Sequence, residues 1–84
     1  MPKSTVATVT TTASIVVPAL PGDQSVYLHS ASGTLYIGGP DLTAANGYRM
    51  DSGDKLTIMV GDHEPLYAIT SSGSATLYVL SQIN

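Results

Sequence analysis

The sequence contains no cysteine, tryptophan or phenylalanine. Without cysteine there is no disulfide framework to staple a small fold, no thiolate zinc site and no thiol nucleophile, and the chain fits a reducing cytosol. Charge is also scarce: only 11% of residues are charged, and the basic ones number three, Lys3, Arg49 and Lys55, in a chain of net charge −3. So few cations cannot follow a phosphate backbone, and no nucleic-acid partner is expected. Long apolar runs are missing as well. Thr and Ser interrupt the N-terminal MPKSTVATVTTTASIVVPALPG throughout, so neither a signal peptide nor a membrane span is expected. With 84 residues the chain is one domain. A chain of this size buries only about 60–65% of its unfolded surface. Because eight of its hydrophobic residues are Ala, the core has little surplus, and burial is expected to be completed against a partner or a second copy.

What is present reads as strand and turn. Residues 4–20 mix Thr with Val and Ile, and β-branched side chains suit extended backbone. This segment, residues 1–20, is expected to be an extended N-terminal arm or a pair of edge strands. Residues 21–84 are expected to form the domain proper. From Ser25 to Ile37, Val26 and Leu28 alternate with Tyr27 and His29, and Leu35 and Ile37 with Thr34 and Tyr36. The two runs predict a hairpin turning at Gly33. Residues 66–80 repeat the design, with Tyr67, Gly73 and Tyr78 in place of Tyr27, Gly33 and Tyr36, and predict a second hairpin of similar shape. Between them, Gly38-Gly39-Pro40 stops a strand and predicts a crossing between two layers of sheet. Asp41 is a candidate cap for one helical turn over residues 42–46. Tyr48–Met50 reads as a short extended piece, and Lys55–Val60 as a strand with Leu56, Ile58 and Val60 on one face. About seven short strands with turn signals between them make an all-β fold, a small antiparallel β-sandwich or barrel.

No pattern points to catalysis. Asp62-His63-Glu64 uses metal-ligand residue types, but three consecutive residues rarely converge on one ion, so no metal is assigned. Asp41, Asp51 and Asp54 lack the spacing of a calcium loop and suit turns. No Ser lies in a nucleophile elbow, and Gly38-Gly39-Pro40 lacks the Lys and helix of a phosphate loop. The chain is therefore expected to be no enzyme and to hold no cofactor. Four tyrosines, Tyr27, Tyr36, Tyr67 and Tyr78, recur on strands, where amphipathic rings suit half-buried faces and interfaces.

The series Ser25-Val26-Tyr27-Leu28, Leu35-Tyr36-Ile37-Gly38-Gly39, Asp41-Leu42-Thr43, Asn46-Gly47, Gly53 and Leu66-Tyr67-Ala68-Ile69 with Gly73 resembles small structural proteins of tailed bacteriophages. These are capsid decoration or head-fibre components, with related modules in tail-associated proteins, and the resemblance spans residues 15–80. It implies a β-sandwich or barrel subunit that docks as an oligomer on the assembled shell. The implied partner is the major capsid protein, and the implied location is the capsid surface of the virion after synthesis in the host cytoplasm. The least self-sufficient stretch, Thr5 to Val17, is the expected contact, carried by Thr5, Val6, Val9, Ile15, Val16 and Val17. The alternatives are a receptor- or glycan-binding module of a head or tail fibre, using exposed tyrosines and the loops around Asp41 and His63, and a tail or connector component.

Overall fold

The computed structural model describes residues 2–83; Met1 and Asn84, the outer bounds of the two predicted segments, lie outside the described residues. The fold is all-β. Eight strands follow one another as β1 (Pro2–Val9), β2 (Ser14–Val17), β3 (Gln24–Ser32), β4 (Leu35–Gly38), β5 (Tyr48–Met50), β6 (Lys55–Val60), β7 (Leu66–Ile69) and β8 (Ala75–Ile83). They build two four-stranded antiparallel sheets, ordered β1-β8-β3-β6 and β2-β7-β4-β5. Two sheets with this interleaved order form a jelly roll. The strand count is eight rather than about seven, and the architecture is the sandwich rather than the barrel.

Each sheet sends alternate residues inward, and the burial follows the period of two. Val26, Leu28, Leu77, Val79 and Val60 from the first sheet meet Leu35, Ile37, Met50, Leu66 and Ala68 from the second. Removing a side chain such as Leu77 or Leu35 from water contributes about 1.5–3 kcal/mol. Inward polar groups are few. Gln24 donates from Nε2 to Pro18 O at 3.2 Å, and Thr70 donates from Oγ1 to Thr34 O at 2.8 Å.

Three sequence expectations are corrected here. Residues 25–37 and 66–80 are not hairpins: β3 lies in the first sheet and β4 in the second, and β7 and β8 are divided likewise. Each pair is an arch over the edge of the core. The alternation that predicts a hairpin is identical in an arch, because both bury one face of each strand. What differs is the partner, and here the arches supply it to each other, β3 pairing with β8 and β4 with β7. Gly33 (φ 74°) and Gly73 (φ 66°) turn the two arches, and a Cβ on Gly33 would lie 3.2 Å from Ala75 Cβ, so the arches nest closely.

The crossing predicted at Gly38–Pro40 is instead a loop within one sheet, since β4 and β5 pair directly. The one helical turn expected over residues 42–46 forms one residue later, over 43–47. Thr43 begins a single closed turn in which Asn46 N and Gly47 N both donate to Thr43 O. Thr43, not Asp41, does the capping: its Oγ1 accepts from Ala45 N at 3.3 Å, and Asn46 Oδ1 accepts from Thr43 N at 2.8 Å. This reciprocal arrangement satisfies the turn locally.

Candidate interaction surfaces

The predicted contact residues divide between the core and the surface. Val9 and Val17 are buried, and the register gives the reason: Val9 faces Ala75 and Val17 faces Leu66, on the inward side of each sheet. Neither can offer a side chain to another molecule while the domain is folded. Val16 is half-buried at the bulge in β2. Thr5, Val6 and Ile15 are exposed, Val6 by 64% and Ile15 by 53%. β1 and β2 lie at the edges of their sheets, and the short link 10–13 keeps those edges on one side of the sandwich. From Ser4 to Gly22 that side carries no charged residue.

Most of the sheet edges are poor templates for a further strand. β1 opens with Pro2 and Lys3, β2 is bulged, β5 has three residues, and β6 opens with Lys55. Proline, lysine, bulges and brevity are the devices that keep sheet edges from recruiting other chains. β1 beyond Lys3 is the exception, an unbulged and uncharged edge from Ser4 to Val9 that can offer ladder hydrogen bonds as well as side chains.

The outer face of the first sheet is the other surface, and sequence reasoning did not assemble it. The register sets Val6, Tyr78, His29 and Lys55 in one row across β1, β8, β3 and β6, and Ser4, Leu80, Tyr27 and Thr57 in the next. Together they line an open hollow of about 570 Å³. Tyr27 and Tyr78 are roughly half exposed, and the His29 ring lies 6.2 Å from that of Tyr78, tilted by 35°. Alternation alone put Tyr27 and His29 on one face, but only strand order brings Tyr78 and Lys55 beside them.

The polar clusters work in the loops. Asp62 Oδ1 accepts from Gly22 N at 2.5 Å and lies 2.9 Å from His63 Nδ1, while His63 N donates to Leu20 O at 2.9 Å. His63 holds a left-handed backbone (φ 60°) there. These bonds tie the β6–β7 loop to the β2–β3 loop. Among the described residues no group of three or more His, Asp or Glu side chains converges as a metal site. Asp51 N donates to Asp54 Oδ2 at 2.8 Å, and Asp51 pairs with Arg49 at 3.0 Å, a bond that holds the guanidinium still more firmly protonated. Asp41 and His63, the loop residues of the glycan reading, line no part of the hollow that holds Tyr27 and Tyr78.

No protein-family model matches this sequence, and no curated protein sequence does. The fold does have a counterpart. A solved structure from work titled "Bacillus endospore appendages form a novel family of disulfide-linked pili" superposes with a TM-score of 0.66, covering 99% of this chain and 85% of that one at 17% identity. At that identity the likeness is one of fold.

Proposed function

We propose that this chain is a non-enzymatic structural subunit that completes its burial within an assembly, docking on an assembled phage capsid as a decoration protein. The observation that carries the reading is the uncharged side built by β1, the 10–13 link and β2, with Ile15 exposed on it. A small sandwich with few charges and a large aliphatic side chain left in water on an uncharged side is suited to contact with another protein surface. Each copy buries a modest area, and repetition over a lattice multiplies the effect. The resemblance in the glycine and aromatic series points to the capsid as the lattice, the major capsid protein as the partner and the virion surface as the location.

Point changes test this better than truncation, because Val9 and Val17 belong to the core. Thr12→Asp with Ile15→Asp puts two charges on exposed positions and is expected to leave folding intact while weakening occupancy of cognate heads assembled without this protein. The expected loss is about tenfold or more, as for charges desolvated without partners. Occupancy equal to that of the unaltered protein would remove this side from the account.

A second reading is favoured by the whole-chain fold likeness: a subunit of a filamentous appendage. The neighbour's title describes disulfide-linked pili, and this chain, lacking cysteine, would have to assemble without covalent links. Electron microscopy of the concentrated pure protein separates the two, filaments favouring the appendage and dispersed particles the decoration protein.

A further inference from the structure

The charges of this chain are segregated by element. All six acidic residues, Asp23, Asp41, Asp51, Asp54, Asp62 and Glu64, lie in loops, whereas Lys3, Arg49 and Lys55 lie in strands. Arg49 is paired with Asp51, but among the described residues Lys55 pairs with no carboxylate. Lys55 lines the hollow on the first sheet, and no Asp or Glu does. An acidic protein thus presents one concave surface whose only fixed charge is positive.

The rest of the lining has a matching character. Tyr27 on β3 pairs with Leu80 on β8, two residues from Tyr78, so Tyr27 and Tyr78 are diagonal neighbours on one face with Leu80 directly opposite Tyr27. Val6 closes the side toward β1, and Thr57 and His29 offer polar groups near Lys55. Exposed phenol rings with flanking hydroxyls suit a ring that has one apolar C–H face and several hydroxyl groups. The volume is within the range of small-molecule sites, about 300–1,000 Å³.

We propose that this hollow binds an acidic sugar unit of a polysaccharide, its C–H face against Tyr27 and Tyr78 and its carboxylate toward Lys55. The inference does not rest on capsid docking, which is tested through Thr12 in the 10–13 link and Ile15 on β2, neither of which lines the hollow. A neutral sugar would use the rings but leave the lysine without a role. A nucleic acid would need a train of cations that one lysine does not provide.

The test uses the isolated protein and two soluble probes, a galacturonic acid trimer and the neutral galactose trimer, with binding read from backbone amide shifts in NMR. The acidic trimer is expected to move the amides of Tyr27, His29, Lys55 and Tyr78, and to bind about three- to five-fold more tightly than the neutral one, the scale of one exposed ion pair. Lys55→Gln should erase that preference while keeping neutral binding. Tyr78→Ala should weaken both probes by about three- to ten-fold, the scale of one aromatic contact. Raising ionic strength to about 0.5 M should narrow the preference in the unaltered protein only. Shifts absent up to about 10 mM probe, a Kd corresponding to about −2.7 kcal/mol, would overturn the proposal. So would shifts confined to the loops, or a preference that survives Lys55→Gln. Amide shifts on this face that follow protein concentration alone would assign the hollow to a second copy instead. None of these outcomes bears on occupancy of capsid shells.

Discussion

The two sheets finish their outer faces differently. On the second sheet the loop of residues 39–47 folds back over the strands. Leu42 is buried at 6% exposure outside the central core, and it sits where a Cβ on Gly38 would come within 2.9 Å of its Cδ1. A Cβ on Gly47 would meet Tyr36 Cβ at 2.5 Å, so both glycines let the loop lie close. On the first sheet no loop covers the corresponding face, and Tyr27, Tyr78, Leu80, Val6 and Met59 remain exposed. One sheet is thus partly covered by its own chain and the other is left open. A domain with so little apolar material uses the nine residues after β4 as a lid over part of one side, which leaves Ile15 and Tyr48 exposed there, and leaves the larger group of exposed side chains on the other.

Leu42→Ala attacks the covered face most directly. Losing a buried leucine that holds a loop to a sheet is expected to cost about 2–3 kcal/mol, the lower part of the range for core leucines, measured by urea denaturation. Gly38→Ala should cost about 1–2 kcal/mol, because the new methyl competes with Leu42 for one space. That cost should nearly vanish in the Leu42→Ala background, where the only close neighbour is gone, and a double-mutant cycle reads the coupling. Additive effects would mean that Leu42 does not rest on Gly38. The smallest effect belongs to the open face: Leu80→Ser should change stability by about 0.5 kcal/mol or less, as at other exposed sites. A loss as large as that of Leu42→Ala would show that the first sheet's outer face is closed by the protein itself in solution, which would remove the contrast.

Much of the secondary structure was legible because burial in a sandwich repeats every two residues. Val26 and Leu28 against Tyr27 and His29, and Leu56, Ile58 and Val60 against Lys55, Thr57 and Met59, separate in the structure as their spacing predicts. Gly33 takes the expected positive φ, and Asn46-Gly47 and Asp51–Asp54 make turns. The contact residues were less legible. Val9 and Ile15 have the same chemistry, and only the pairing of Val9 with Ala75 and Ile15 with Tyr67 decides that one is core and the other surface. The hollow was illegible for the same reason: Tyr27 and Tyr78 are 51 positions apart, and nothing local records that β3 and β8 are neighbours.

By itself the amino-acid order determined the extended backbone, the places where it turns and which residues of each strand share a face, since these follow from side-chain branching, glycine and period-two burial within a few residues. Tertiary structure alone decided which strands pair, that the two glycine turns are arches joining different sheets, and that one outer face is partly lidded while the other stays open. Those choices depend on contacts between distant segments. A sheet face presents the same alternation to its chain whether its partner is the next strand or one fifty residues away.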